Sequence, residues 1–189
     1  GSILSKKIAE GIGALALDVK VGRGAFMKTE ADARQLATWL AGIAERNGVR
    51  TEAMLTSMDM PLGRAVGNAN EVIESIETLK GRGPRDVTDL SVRLAVRMLV
   101  LSGGAPGDAE ADARVRQALA SGAGLEKFRD IIAVQGGDPK VVDDYRRVPA
   151  AAHREDWRAP RDGVVARLDA ELIGRAAVAL DAFPVNPVK

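Results

Sequence analysis

The chain has 189 residues, with 27 Lys and Arg against 26 Asp and Glu, a single histidine (His153) and no cysteine. The even charge balance and the lack of any apolar run near the roughly 20 residues of a membrane-spanning helix predict a soluble, cytoplasmic protein without nucleic-acid or membrane partners. Disulfides, thiol catalysis, thiolate metal sites and zinc sites built on several histidines are excluded by composition.

The first part of the chain has the pattern of a strand, a helix and a second strand. Such a unit predicts two parallel strands joined by a right-handed crossover. Thr29 with Asp32 resembles a capping box at the start of the crossover helix, and Asn47 followed by Gly48 marks its end. The predicted elements are a helix over 3–8, a strand over 14–20, a helix over 33–44 and a strand over 50–58.

The second half of the chain is rich in predicted helices. Thr88, Asp108 and Asp169 each stand where a side chain can cap a helix. Residues 162–163 (Asp-Gly) form a hairpin-type turn signal, and 164–168 has the composition of a short strand. The predicted helices cover 68–80, 88–101, 108–119, 125–133 and 170–180, with Pro139 in the first turn of a shorter one.

The order of these elements predicts an α/β fold with a parallel or mixed sheet flanked by helices. A helix-rich second half follows the sheet. The polar, extended stretch at 150–160 and the strand and helix after it indicate that a C-terminal α+β subdomain starts near residue 150. In open α/β sheets, ligands bind at the carboxyl ends of the strands, so the loops after the two strands are candidate sites.

Two patterns near the predicted sheet have both a functional and a structural interpretation. Gly22-Arg23-Gly24 follows a strand, and its backbone amides either cradle an anion beside Lys20 and Arg23 or simply make a tight turn. Ser2 and Lys6 share one helix face, where they either point at a polar ligand or are an N-cap serine and a surface lysine.

A third pattern joins loop carbonyls after residue 62 to the carboxylate of Glu74, which together can ligate a hard cation, although this spacing is common. His153 lies in a polar linker and is interpreted as a solvated side chain. No nucleophile stands beside a base, so the residues alone indicate an α/β protein without assigning its chemistry.

Three blocks of the sequence resemble thymidine phosphorylases and pyrimidine-nucleoside phosphorylases. They are SILSKKIAEG at 2–11, LDVKVGRGAFM at 17–27 and DMPLGRAVGNANEV at 59–72, in the order and spacing of that family. The resemblance extends from residue 2 to about residue 182. It implies a homodimer whose subunits have a small helical domain and a large α/β domain, with the active site in the cleft between them.

The resemblance also implies an activity and a set of site residues. Inorganic phosphate attacks the anomeric carbon, so a pyrimidine nucleoside is converted reversibly into the free base and (deoxy)ribose 1-phosphate, without an organic cofactor. The family motif S-I-x-x-K-K places base contacts at Ser2 and Lys6. A potassium ion held by loop carbonyls and a glutamate is placed at Leu62, Ala65 and Glu74. His153 matches no functional position.

Several parts of the family pattern are not found in this sequence. The phosphate loop, a base-contacting arginine, a histidine near the base and two further potassium ligands fall before Gly1, and residues 181–187 replace a glycine- and arginine-rich continuation. We therefore expect the middle of a longer phosphorylase, excised or truncated, that is inactive by itself. Its expected parts are the end of the helical domain (1–13), the central α/β domain (14–149) and the start of the C-terminal subdomain (150–189).

Two alternatives to a pyrimidine-nucleoside phosphorylase stay open from the sequence. One is an AMP phosphorylase or a related enzyme of the phosphoribosyltransferase superfold, which a preference for a nucleotide 5′-phosphate would reveal. The other is a truncated product without catalytic activity. The choice between thymidine alone and both uridine and thymidine is not fixed by these residues.

Overall fold

A computed structural model of the chain describes residues 2–180, and for Ser2 it describes the backbone only. The chain end at 181–187 that the sequence analysis singled out lies outside the described residues. No described helix is long and apolar enough to cross a bilayer. The elements are α1 (Ser2–Ala9), β1 (Ala14–Val21), α2 (Glu30–Arg46), β2 (Arg50–Ser57), α3 (Asn68–Leu79), α4 (Arg85–Leu101), α5 (Asp108–Ala120), α6 (Ala123–Val134) and α7 (Ala170–Ala179), with 3₁₀ helices at Pro139–Val142 and Tyr145–Arg147.

The sheet consists of β1 and β2, which pair in parallel across α2. The register runs from Ala14 opposite Arg50 to Val21 opposite Ser57. The predicted strand, helix and strand are therefore confirmed, as is the α/β fold class with its helix-rich second half. Because both strands run the same way, the loops that follow them meet at one edge of the sheet, the edge where ligands bind in open α/β sheets.

One face of the sheet packs on α2 through small side chains. Val19 of β1 and the alanines Ala33 and Ala37 of α2 form a buried cluster. Alanines at this spacing lie on one side of the helix and allow its backbone to approach the strands closely. The helix begins as predicted, because the Thr29 Oγ1 accepts a hydrogen bond from the Asp32 amide at 3.2 Å.

Helix α1 lies at the other end of α2. Leu4 is buried with Ala44 and Val49, and Ile8 packs against them. Val49 directly precedes β2, so α1 sits beside the amino end of the sheet. The first helix is thus anchored by one apolar face, and its opposite face is exposed.

Helices α4 and α5 pack against each other beside the sheet. Their apolar contact is a buried cluster that includes Val92 and Ala111. Arg97 of α4 ties this pair to the sheet, since its guanidinium donates to both carboxylate oxygens of Glu52 at 2.6 Å and also pairs with Asp108. Those hydrogen bonds from Arg97 lower the pKa of Glu52 below its ordinary value.

Of the three helix caps predicted in the second half of the chain, two are wrong and one is confirmed. Helix α4 begins at Arg85, three residues before Thr88, whose hydroxyl donates instead to the Pro84 carbonyl at 2.9 Å. Asp108 is the first residue of α5 rather than its cap, and the Asp108 carboxylate forms an ion pair with Arg97 instead of accepting from a helix amide. Asp169 does cap α7, accepting from two backbone amides of the first turn. The spacing of polar residues alone does not show whether a side chain will cap its helix or bond to another partner.

The short strand predicted at 164–168 is wrong, and so is the hairpin turn before it. These residues have no strand partner in the described part of the chain, and Val164 is 94% exposed. A strand requires a neighbour for its backbone hydrogen bonds, and an apolar composition does not supply one. The segment 149–169, which includes His153, is instead irregular and almost wholly exposed.

A polar cluster, which we call the Glu77 clasp, fastens the 3₁₀ helices to the end of α3. The Glu77 carboxylate accepts two hydrogen bonds from Arg82, each 2.8 Å, and one from the Tyr145 hydroxyl. The Lys80 ammonium donates to the Val142 carbonyl at 2.5 Å and lies over the Tyr145 ring. Hydrogen bonds from Arg82 and then Tyr145 lower the pKa of Glu77 to about 2.

The clasp gives a prediction for stability against pH. Glu77→Gln is expected to lower the free energy of unfolding at pH 7 by about 1–2 kcal/mol, a value reduced for solvent screening because Arg82 is exposed. A depressed carboxylate pKa stabilises the fold above the unfolded-state value and loses that effect as pH falls towards the folded-state value. The difference in free energy of unfolding between wild type and Glu77→Gln should therefore fall to less than half of its pH 7 value by about pH 3.

Urea unfolding of both proteins between pH 7 and pH 3 tests this prediction. Glu30→Gln is the matched control, since Glu30 also pairs with an arginine, Arg34, but on an exposed helix surface. The control is expected to stay close to wild type throughout. If Glu77→Gln is less stable than wild type by the same free energy at pH 3 as at pH 7, the role given to the clasp is contradicted.

Candidate functional site

The glycine loop after β1 is a tight turn whose amides are used within the protein. The Gly22 amide donates to the Met27 carbonyl at 3.0 Å, the Gly24 amide to the Met58 carbonyl at 2.9 Å, and the Arg23 amide to the Asp59 carboxylate at 3.0 Å. Gly22 has a φ of +125°, which favours glycine. This geometry supports the turn interpretation over an anion cradle, because a carboxylate already holds the amide between the glycines.

The positive charges beside this loop are also neutralised by neighbours. The Lys20 ammonium lies 2.7 Å from Asp18 and donates to Thr56 at 2.9 Å. The Thr56 hydroxyl in turn donates to Asp18 at 2.5 Å, which closes a three-residue network across the two strands. A lysine paired in this way contributes little net attraction for an anion.

Helix α7 covers the same edge of the sheet. Its first amide, from Ala170, donates to the Asp59 carbonyl at 3.1 Å, and its cap Asp169 lies 3.5 Å from the Arg23 guanidinium. Lys28 donates to Glu171 at 3.2 Å, and this hydrogen bond lowers the pKa of Glu171. The carboxyl ends of β1 and β2 are therefore partly occupied by a later part of the chain.

The predicted base-contacting residues lie on α1. Lys6 is two residues beyond the buried Leu4, which places it on the opposite side of the helix, and it is exposed. It makes no ion pair with any residue that the structure describes, whereas its neighbour Lys7 pairs with Glu10 at 3.1 Å. Ser2 occupies the same helix face as Lys6, four positions earlier. The helix thus presents an unpaired ammonium away from the core.

The three residues predicted to hold potassium lie together. The Glu74 carboxylate of α3 accepts hydrogen bonds from the amides of Arg64 and Ala65, at 2.8 and 3.1 Å. It therefore lies against the loop whose carbonyls were predicted as ligands. Within the described residues, neither the Leu62 nor the Ala65 carbonyl oxygen accepts a hydrogen bond.

The two predicted sites lie at opposite ends of the sheet. Helix α1 packs where β2 begins, and the loop of Leu62 and Ala65 follows the end of β2. An eight-residue strand separates these ends by roughly 25 Å. The structure consequently brings Glu74 against the loop of Leu62 and Ala65 and places Lys6 at the other end of the sheet.

A cavity of about 380 Å³ is found elsewhere, between β2, α4 and α5. Its charged lining consists of three arginines and three aspartates, and it includes none of the predicted site residues. The cavity therefore favours neither anionic nor cationic ligands, and the predicted site residues stay the candidates for function. Among the described residues no group of three or more acidic or histidine side chains is arranged to hold a metal.

One contact at the cation loop was not foreseen from the sequence. Asp86, in the first turn of α4, accepts a hydrogen bond from the Gly63 amide at 2.9 Å. The two residues are 23 positions apart and lie in different elements, so no local pattern links them. The only signal is an acidic residue early in a helix, which is common for reasons unrelated to any site.

The parallel strand pair, its crossover helix and the loops at its carboxyl edge define an α/β domain of the kind that binds small ligands beside the sheet. The sequence matches the glycosyl transferase family, a/b domain, over residues 2–125. The chain belongs to this family.

Individual relatives agree with the match. The chain is 47% identical over 181 residues to a pyrimidine-nucleoside phosphorylase of Bacillus subtilis (strain 168) and 46% identical to one of Staphylococcus aureus (strain USA300). Each alignment covers 96% of this chain and 42% of the relative. The resemblance found in the sequence blocks is confirmed, and the chain spans about two fifths of the length of the curated relatives that it matches.

Proposed function

We propose that this chain is part of a pyrimidine-nucleoside phosphorylase. Such an enzyme converts a pyrimidine nucleoside or deoxynucleoside and inorganic phosphate reversibly into the free base and the sugar 1-phosphate. The observation that carries the proposal is identity of 46–47% to proteins of that name over nearly the whole chain. Lys6 supports it, because this side chain is exposed and makes no ion pair with the described residues, and a cation beside the departing base stabilises the charge that develops there.

The proposed chemistry assigns Lys6 a specific task. A phosphate oxygen forms a bond to the anomeric carbon while the bond from that carbon to the base nitrogen breaks. The bonding electrons leave with the base, which later takes up a proton. An ammonium group near the base stabilises the negative charge that develops there. This electrostatic stabilisation is stronger in a cleft that excludes water than in bulk water. Ser2 is proposed as a second contact to the base.

Phosphate is proposed as the co-substrate, bound by a part of the protein that this chain does not contain. The loop of Gly22 and Gly24 is not used for it, since its amides are already hydrogen-bonded. No organic cofactor enters the proposed reaction, and the 189-residue chain alone is expected to be inactive.

A potassium ion is proposed at Leu62, Ala65 and Glu74, and the residues present fit such an ion. Carbonyl and carboxylate oxygens are the ligands that hard monovalent and divalent cations take, and the two carbonyls lack protein donors in the described structure. Three oxygens do not complete a coordination shell, so further ligands are assigned to the rest of the enzyme. When bound, the ion would brace the loop between β2 and α3.

The assembly and organisation of the intact enzyme are also part of the proposal. We infer a cytoplasmic homodimer without nucleic-acid or membrane partners. The division of this chain at 13/14 and 149/150 stays a prediction. The boundary at 149/150 is supported by the exposed, irregular segment that begins near residue 149, whereas α1 shares a buried cluster with α2 across the boundary at 13/14.

A substrate comparison tests the proposed activity. The longest natural polypeptide containing this sequence would be incubated with phosphate and either thymidine, uridine or AMP, and released base would be separated by chromatography. We expect phosphate-dependent release of thymine or uracil, and none from this chain alone. Cleavage of AMP in preference to both nucleosides would favour an AMP phosphorylase, and no cleavage of any of them would overturn the proposal.

A further inference from the structure

The peptide unit between Leu62 and Gly63 is held from one side by a carboxylate. The Gly63 amide donates to the Asp86 Oδ2 at 2.9 Å, and Gly63 has a φ of +73°. A Cβ at this position would overlap the Glu74 Oε2 and come within 2.7 Å of Val87. The loop therefore turns closely between α3 and α4, and only glycine fits at its apex.

That amide and the Leu62 carbonyl belong to the same peptide unit. In a trans peptide the N–H and the C=O point in opposite directions, and the described chain contains no cis peptide bond. A hydrogen bond that fixes the Gly63 N–H on Asp86 therefore fixes the direction of the Leu62 oxygen away from Asp86. A charged acceptor on the N–H also polarises the unit and makes that oxygen more negative.

Glu74 acts in the same way on the next two units. Its carboxylate accepts from the Arg64 and Ala65 amides, so two carboxylates from two helices hold three consecutive peptide units. Neither Glu74 nor Asp86 has an ion-pair partner among the residues that the structure describes. Two uncompensated carboxylates converging on one short loop favour a cation there.

We propose that Asp86 is a positioning residue for the monovalent cation site formed by Leu62, Ala65 and Glu74. It does not touch the ion and acts through the Leu62 peptide unit, whose oxygen it orients and polarises. This inference rests on the proposed cation site. Groups that orient metal ligands typically change metal affinity by roughly 10–100-fold when they are removed.

The test measures potassium binding through thermal stability, so it does not depend on activity. Melting temperature would be followed against KCl at constant ionic strength, with choline chloride as the balancing salt, in the longest natural polypeptide containing this sequence. Asp86→Ala is expected to raise the potassium concentration for half-maximal stabilisation by about 10-fold or more. Asp86→Asn is expected to fall between wild type and Asp86→Ala, because its amide oxygen can accept the same hydrogen bond but carries no charge.

Two further variants make the result specific. Asp89→Ala removes another carboxylate of α4, one that pairs with Arg85 and does not contact the loop, and it should match wild type. Glu74→Ala removes the proposed ligand oxygens themselves and should abolish the potassium response. A response that survives in Glu74→Ala would place the ion elsewhere and overturn the inference.

The remaining outcomes also decide the matter. If Asp86→Ala lowers the melting temperature equally with and without potassium, and leaves the half-maximal concentration unchanged, Asp86 has only a structural role. If Asp86→Asn is as impaired as Asp86→Ala, charge rather than orientation is at work and the inference is wrong. If wild type shows no potassium response, the cation site and the inference both fall, while nucleoside cleavage in the same preparation shows whether the proposed activity survives.

Discussion

Lys6→Ala in the intact enzyme is expected to lower kcat/KM for phosphorolysis of thymidine or uridine by about 100-fold. The reason is electrostatic. The departing base carries the electron pair of the broken glycosidic bond, and an ammonium placed beside it stabilises the transition state more than the bound nucleoside. Steady-state kinetics with a fixed, saturating phosphate concentration measure the effect.

The structure supplies a close control for this substitution. Lys7 is the adjacent residue with the same side chain, but its ammonium is paired with Glu10. Lys7→Ala should leave the kinetics near wild type. Neither change removes a buried side chain, since α1 is anchored by Leu4 and Ile8, so both variants should melt at the wild-type temperature. Unchanged kinetics in Lys6→Ala, or equal losses in both variants, would contradict the assignment of Lys6.

The sequence was sufficient to predict those parts of the fold that depend on local patterns. The apolar spacing of the first 60 residues predicts the parallel strand pair and its crossover helix, and Thr29 and Asp169 cap helices as their positions suggest. These features follow from short-range hydrogen bonding and from which face of an element is apolar. They are features that the spacing of apolar residues, or a capping residue at the start of a helix, can specify.

Contacts between side chains far apart in the sequence were not predicted. Tyr145 meets Glu77 across 68 positions, and Arg97 meets Glu52 across 45. Such pairs depend on how helices pack, and no local period encodes that arrangement. The error at 164–168 has the same origin, because a strand exists only when another segment pairs with it.

The candidate site, too, has some residues that the sequence selected and some contacts that only the structure shows. The resemblance selected Ser2, Lys6, Leu62, Ala65 and Glu74, and the structure shows Glu74 against the loop of Leu62 and Ala65, with Lys6 exposed. Their roles as ligands stay predictions. The contacts that hold the loops after the two strands, such as Asp86 with Gly63 and Asp59 with Arg23, became apparent only from the structure.

The second large effect is expected at Ile76, which is fully buried and lies on α3 two residues after Glu74. Ile76→Ala should lower the free energy of unfolding by about 2–5 kcal/mol, the sum of lost apolar burial and the cavity left behind. A domain of this size is stabilised by only about 5–15 kcal/mol in total, so the loss is a large share of it. Urea unfolding followed by circular dichroism gives the value directly, since the chain is rich in helix.

A graded pair of substitutions separates cavity formation from loss of helix α3. Ile76→Val removes one methylene group and should cost only about 0.5–1.5 kcal/mol. Val72→Ala, at an exposed position of the same helix, should stay within about 0.5 kcal/mol of wild type. If Ile76→Ala costs no more than Val72→Ala, the buried face of α3 does not anchor that helix in the fold. The expected order, with Ile76→Ala far less stable than the other two, would mean that α3 is held mainly by the side chain that it buries at Ile76.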